Sequence, residues 1–326
     1  VPRIYEKIYA KIQAEVASGS EIKQNIFKWA VETGKETVRL RSEKKTVPVP
    51  LLIKYKIADK VVFAKIRAKL GGKVRCTISG GAPLSQDLCE FFHAAGIRIM
   101  EGYGLTETTA AVSVNHPDDF SFGTVGRPMP GVEFRIAPDG EILVRGPVIF
   151  KEYYRNPEAT KEVLAADGWF ATGDIGEITQ RGFVKITDRK KEIIVTSAGK
   201  NIAPQKIENL LKTVRFISQS LVLGDKQKYI AALLTLNEPE VIKWAQTEGI
   251  TFKDYPDLSK NQKVVDMIED LIKGINHHLA SFETIKKVRI LPNDFTIETG
   301  ELTPSLKVKR KVCQQKYQTY IEDLFN

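Results

Sequence analysis

The run Glu101-Gly102-Tyr103-Gly104-Leu105-Thr106-Glu107-Thr108 holds a dense set of chemically useful side chains. Tyr103 offers a flat aromatic face of the kind a purine stacks on. The Thr106 hydroxyl can donate to a phosphate oxygen. Glu107 supplies a hard carboxylate oxygen suited to Mg²⁺ bridging phosphates. Gly102 and Gly104 keep the backbone close, with no Cβ in the way. Together these residues point to a nucleotide and its phosphates. The bland alternative is a strand end where Thr106 and Glu107 open an ordinary capped helix. A second stretch, Ser79-Gly80-Gly81-Ala82-Pro83-Leu84, sets two glycines directly after a strand. By itself it reads as a tight turn. It is not G-x-G-x-x-G, so a dinucleotide fingerprint is unsupported.

The elements that would position these residues follow from periodicity. Ile4, Ile8, Ile12 and Val16 recur at helical spacing, and the pattern predicts helix over residues 2–42. Pro48 and Pro50 break it, and a second helix over 51–70 stops at Gly71-Gly72. Strand text at 74–79 ends in the first glycine turn. A helix over 84–95 and a strand over 97–100 lead into the second. This order predicts an α/β fold with a mostly parallel sheet, whose ligands lie at the carboxyl ends of strands. Near Gly123 the text becomes β-rich, with a hairpin signal at Pro138-Asp139-Gly140 and short strands at 132–136, 141–144, 169–170, 175–178 and 183–186. Beyond Arg189 the composition mixes again. Strands are expected at 192–195, 220–223 and 231–236, and helices at 204–213, 238–247 and 261–279.

The bulk numbers bound the rest. The 326 residues suggest two domains, and a hydrophobic share of 42% is enough for real cores. Cys76, Cys89 and Cys313 are scattered, which suits a reducing, cytoplasmic setting rather than a disulfide framework or a zinc site. His277-His278 are neighbours that would point in different directions on a helix. The net charge of +9 fits solvated lysine faces first. It also allows polyanions: nucleotide phosphates, coenzyme A or a peripheral anionic membrane surface. Nucleic acid is disfavoured, since no nucleic-acid fold signature is present. The opening at Val1 reads like mid-chain text, so an upstream part of the same protein is expected.

Five motifs in order carry a resemblance. Tyr103-Gly104-Leu105-Thr106-Glu107 resembles the signature of the acyl-adenylate-forming superfamily, which includes acyl-CoA synthetases, firefly luciferase and peptide-synthetase adenylation domains. Gly80-Gly81-Ala82-Pro83 resembles the loop along the adenine. Ala171-Thr172-Gly173-Asp174 resembles the ribose element, with Asp174 accepting both ribose hydroxyls. Asp188-Arg189-Lys190-Lys191-Glu192 resembles the hinge, with Arg189 on the ribose and Lys191 as pivot. Leu302-Thr303-Pro304-Ser305-Leu306-Lys307 resembles the element with the catalytic lysine, which falls on Lys307. The resemblance implies an ATP and AMP site built from Gly80 to Pro83, Glu101 to Gly104, Thr106, Asp174 and Arg189. Thr106, Glu107 and Lys307 would act in catalysis, with Mg²⁺ on Glu107. Ser197, Ala198, Gly199 and Lys200 would line the coenzyme A path.

The implied architecture is the latter part of a large adenylate-forming domain (1–188, its β-rich part about 123–188), then a smaller mobile α+β lid (189–326). Many relatives read Ser-Gly-Lys where this chain has Ser305-Leu306-Lys307. That variant is similar to the long-chain fatty acid–CoA ligases of the AMP-binding superfamily, and it implies acyl-AMP formation followed by transfer to coenzyme A. A second departure is the absence of the Ser/Thr/Gly-rich loop that cradles the β- and γ-phosphates in the family. In the family that loop lies upstream, so this piece is expected to be inactive alone. An adenylation domain that loads a carrier protein, or a fragment that binds nucleotide without turnover, stay as alternatives.

Overall fold

The computed structural model describes residues 2–304 and 306–326. Ser305 of the lysine motif lies outside them. The chain divides into two compact units, Val1–Lys190 and Lys191–Asn326.

The first unit opens with α1 (Pro2–Ala17) and α2 (Glu21–Ser42). The single helix expected over 2–42 is therefore two, because Ser18-Gly19-Ser20 interrupts the periodicity; beyond it Ile22 is exposed and the buried face runs through Phe27, Ala30, Gly34 and Val38. Then come α3 (Val49–Ala58), a π-helical stretch Asp59–Phe63, and α4 (Ala64–Lys69). Pro50 stands in the first turn of α3, where its missing N–H has no intrahelical role. These helices pack on α5 (Gln86–Ala94) around fully buried Phe63, Phe91 and Phe92. Gly34 lets α2 approach α5: a Cβ there would lie 2.7 Å from the Ala94 Cβ.

A four-stranded sheet runs β1 (Cys76–Ser79), β2 (Arg98–Leu105), β3 (Ala110–Val114), β4 (Arg127–Pro128). β1 and β2 are parallel and joined through α5, as the turn-helix-strand order implies. The β2–β3 and β3–β4 pairs are antiparallel, so the sheet is mixed here rather than mostly parallel. Glu101 to Leu105 also belong to β2, not to a turn after it. Partners on β3, joined to β2 by the short turn at 106–109, satisfy their backbone groups.

The β-rich part is an antiparallel sheet of β5 (Glu133–Ile136), β6 (Glu141–Arg145), β7 (Phe170–Ile178) and β8 (Val184–Arg189). The Pro138-Asp139-Gly140 hairpin forms as its residues predict, with Gly140 at φ +85°. The two short strands expected on either side of residue 172 are one strand, β7, and a helix, α6 (Pro157–Val163), precedes it.

In the second unit a small hairpin, β9 (Ile194–Val195) and β10 (Asn201–Ile202), leads into α7 (Pro204–Leu211). The central sheet has the order β11 (Ile217–Leu223), β12 (Ile230–Leu236), β13 (Ile285–Ile290), the last parallel to β12. β11 and β12 are buried at every residue. Side chains alternate between two cores: Ile230, Ala232 and Leu234 face one, Ala231 and Leu233 the other. The first core includes α7, α8 (Glu238–Thr247), α9 (Tyr255–Leu258) and α10 (Gln262–Asn276). The second includes α11 (Arg310–Lys316) and α12 (Gln318–Phe325), which the lysine-rich text conceals. Among the described residues no helix is long and apolar enough to cross a membrane.

Candidate functional site

The two glycine stretches lie side by side. Pairing of β1 with β2 sets Ser79 opposite Glu101, and a Cβ on Gly80 would stand 3.1 Å from the Gly102 carbonyl oxygen. Gly81 has open space around its missing Cβ but a φ of +79°, so conformation requires the glycine. Ala82 is half-buried and Pro83 exposed. Gly104 carries a packing demand of its own. A Cβ there would fall 1.6 Å from the Ala110 carbonyl oxygen, so the close approach of β3 demands this glycine.

Beyond β2 the chain makes one 3₁₀ turn, Thr106–Thr108, and opens no longer helix. The Thr108 hydroxyl accepts from the Leu105 N–H at 2.8 Å and donates to the Ala110 carbonyl at 2.7 Å. Thr109 at φ +59° and Ala110 at φ +133° follow directly. Left-handed backbone is costly for any residue with a Cβ, and such strain concentrates where a site needs a fixed shape. Thr106 is left exposed at the tip and Glu107 half-buried. The Tyr153 hydroxyl donates to Glu107 Oε1 at 2.8 Å, and the Phe150 N–H donates to the Glu107 carbonyl at 2.8 Å. Burial and then the Glu107 carboxylate push the Tyr153 phenol above its usual range. Tyr153 escapes sequence reasoning because nothing local ties it to Glu107.

The strongest convergence is at Asp174. Tyr103 Oη donates to Asp174 Oδ2 at 2.5 Å, and Arg189 Nε pairs with Oδ1 at 2.9 Å. Register explains the second contact, since Asp174 on β7 sits opposite Arg189 on β8. The Thr172 hydroxyl accepts from the Asp174 N–H at 3.1 Å, fixing the local backbone. Asp174 is buried, whereas the Arg189 side chain is 48% exposed and so has room to swing. The Tyr103 ring packs with Val112, Ile142 and Val144, and little of it meets solvent. Burial, then the Asp174 charge, pushes its phenol well above the usual range. Glu101 is buried two residues away, and burial raises its carboxyl to about 8 against a smaller opposing hydrogen bond from Leu84.

The remaining expected residues lie in or beside the second unit and are described by themselves. Lys190 bridges Asp139 Oδ2 at 2.6 Å and Glu141 Oε2 at 2.8 Å. Lys191, the expected pivot, is exposed and is the first residue of the second unit. Ser197, Ala198, Gly199 and Lys200 form the exposed tip between β9 and β10. Gly199 there has φ +73°, and its N–H donates to the Thr196 carbonyl at 2.8 Å. Lys307 is exposed on a hairpin closed by a Leu302–Val308 bridge. The Thr303 N–H donates to the Lys307 carbonyl at 2.8 Å, and the Lys307 N–H to Thr303 Oγ1 at 3.0 Å. At the hairpin base, buried Glu301 accepts from Lys316 at 2.5 Å, from Tyr317 at 2.8 Å and from Thr299.

The donor set decides which metal would fit. Among the described residues no group of three or more His, Cys, Asp or Glu side chains could hold an ion by itself. A single half-buried carboxylate, Glu107, fits Mg²⁺ bound mainly through phosphates and water.

Comparison with known proteins follows the same division. Residues 1–154 match the model for the AMP-binding enzyme family, and residues 191–326 match its C-terminal domain. A long-chain-fatty-acid–CoA ligase of Mycobacterium bovis is 42% identical over 327 residues, covering 100% of this chain and 54% of the relative. The peroxisomal long chain acyl-CoA synthetase 7 of Arabidopsis thaliana is 36% identical, again over 100% of this chain and 48% of the relative. The chain thus spans about half the length of these curated relatives. The adenylation domain of a carboxylic acid reductase from Segniliparus rugosus, solved with AMP and a co-purified carboxylic acid, superposes with a TM-score of 0.69 at 25% identity over 99% of this chain and 46% of that one.

Proposed function

Because this chain belongs to the AMP-binding enzyme family, we propose that it is the latter part of a ligase that activates a long-chain fatty acid with ATP and passes it to coenzyme A. The observation that carries the reading is the Tyr103–Asp174–Arg189 cluster beside the two glycine stretches. It is a buried carboxylate already oriented by a phenol, with a half-exposed cation on its other oxygen. A carboxylate has about four acceptor sites, so Asp174 can keep the Tyr103 bond and accept the vicinal ribose hydroxyls once Arg189 swings to the sugar. The base would lie along Gly80 to Pro83 and the Glu101 to Gly104 backbone.

In the first half-reaction the fatty carboxylate attacks the α-phosphorus, the bond to pyrophosphate breaks, and acyl-AMP forms. Two anions must meet, so fixed cations and donors have to offset the repulsion. Lys307 supplies a compact ammonium on a flexible stem. The exposed Thr106 hydroxyl donates to a phosphate oxygen. Glu107, oriented by Tyr153, would hold Mg²⁺, whose charge neutralises phosphate when the nucleotide is bound. In the second half-reaction the coenzyme A thiol attacks the acyl carbonyl, the thioester forms and AMP leaves. Lys191 would serve as the pivot between the half-reactions, and the Ser197 to Lys200 tip would line the thiol path. The 42% identity to a named long-chain ligase supports the substrate class.

The test uses the full-length enzyme. CoA-dependent AMP release is followed across a fatty-acid series, beside ATP–pyrophosphate exchange and thioester formation from supplied acyl-AMP. Lys307→Ala is expected to lower exchange by about 10²-fold or more and to spare the thioester step. Equal loss of both half-reactions would sink the lysine assignment. Acyl transfer only to a carrier-protein thiol would move the enzyme to the carrier-loading class.

A further inference from the structure

We propose that Leu306 is a positioning residue for Lys307, trading an unfavourable backbone conformation for an apolar anchor that fixes where the ammonium can reach. The proposal rests on the reading of Lys307 as the adenylation lysine. Leu306 has a φ of +61°, in the left-handed region that favours glycine. Among the described residues five other non-glycine residues share a positive φ: Lys44, Thr109, Ala110, Arg155 and Lys226. All five are exposed. Leu306 alone of the six turns its side chain inward. It packs against the second core of its unit, the cluster that contains Leu291, Phe295 and Leu302.

The surrounding hairpin shows what the anchor completes. At the base, Glu301 collects donors from Lys316, Tyr317 and Thr299, and the Lys309 N–H donates to the Glu301 carbonyl at 2.7 Å. In the middle, Leu302 and Val308 bridge. Near the tip, Thr303 takes the Leu306 N–H on its carbonyl at 2.8 Å and the Lys307 N–H on its hydroxyl at 3.0 Å. Leu306 adds an apolar contact one residue before the exposed lysine. A glycine here would adopt the same φ without strain, but it would remove the apolar contact on the near side of Lys307 and leave Val308, one residue beyond the lysine, as the only flanking anchor of the two. A lysine side chain has four rotatable carbons, so its reach is defined only if its Cα is held. A misplacement of about 1 Å at a charge-stabilising group can lower a rate by about 10²-fold.

In the full-length enzyme, Leu306→Gly is expected to lower kcat of ATP–pyrophosphate exchange by about tenfold with little change in KM for ATP or fatty acid. Thioester formation from supplied acyl-AMP should stay at the wild-type rate. Leu306→Met, which keeps an apolar anchor, should retain exchange. Hydrogen exchange at the Lys307 amide should quicken in Leu306→Gly and not in Leu306→Met. Wild-type exchange kinetics in Leu306→Gly would overturn the proposal, as would parallel loss of both half-reactions with loss of folded protein. Lys307→Ala is assayed alongside. If it loses adenylation while Leu306→Gly does not, only the positioning role fails. If it keeps adenylation, the lysine reading fails and takes this role with it.

Discussion

Glu101 in the first unit and Glu301 in the second are both almost fully enclosed, yet their protons behave oppositely. Burial pushes Glu101 up to about 8, with only a Leu84 backbone donor and Cys89 acting against it. Burial also raises Glu301, but Lys316, Thr299 and Tyr317 outweigh it and hold that carboxyl at about 2. Enclosure alone therefore does not set a carboxyl's charge. The donors that tertiary packing brings to it do. The two candidate regions repeat this contrast. Asp174 is sunk in the first unit with a phenol and a guanidinium on it, a site organised before any ligand arrives. Lys307 rides an exposed hairpin whose order comes from Glu301 below and Leu306 beside it.

The largest break in this contrast should come from Asp174→Ala. It strips the acceptor from the buried Tyr103 phenol, and a buried donor left unsatisfied costs about 1–3 kcal/mol, while the half-exposed Arg189 turns to water. Urea unfolding should show that loss, and calorimetry should show AMP affinity falling by more than about 100-fold. Asp174→Asn, which keeps the shape, should recover much of the stability and little of the affinity.

The paired glutamate changes sharpen the comparison through pH. Folded Glu301 has a pKa below its unfolded value, so its contribution is present above about 4.5 and is lost as pH falls toward about 2. Glu301→Gln should flatten that acid limb and lower stability near neutrality by about 2 kcal/mol, the scale of hydrogen bonds to a charged group. Folded Glu101 has a pKa above its unfolded value. The folded state holds a proton the unfolded state has released, so stability falls as pH rises from about 4.5 to about 8. Glu101→Gln should remove that fall and be more stable than wild type at pH 9. Stability curves of the same slope for both variants would refute the contrast.

The smallest effect expected is that of Tyr153→Phe. It removes one hydrogen bond to a charged carboxylate, about 1.5 kcal/mol. The predicted result is roughly tenfold weaker Mn²⁺ binding in the presence of nucleotide, read by electron paramagnetic resonance, beside an unfolding loss no larger than that bond.

Much of the site was legible because its motifs are local. The Pro138-Asp139-Gly140 hairpin needs only its own residues and flanking alternation. Thr106, Glu107, Asp174 and Lys307 stand out by type and order along the chain. Less legible were β13, whose Lys-Lys-Val-Arg text hides a strand that forms by pairing with β12, and the two helices of the lysine-rich end. Gly104 also answers to a demand no local pattern shows: a Cβ there would collide with the Ala110 carbonyl.

The sequence by itself determined which side chains are available and in what order: a Tyr-Gly-x-Thr-Glu run, a Thr-Gly-Asp step and a Leu-Thr-Pro-Ser-Leu-Lys run. It did so because turns, helix periodicity and motif chemistry depend on neighbours a few residues away. Only the tertiary structure decided that Tyr103 and Arg189 meet on Asp174, that Glu101 is neutral-prone while Glu301 is ionised, and that Leu306 turns inward from a left-handed backbone. Those outcomes depend on the dielectric surroundings and donors supplied by residues remote along the chain, and no local pattern encodes them.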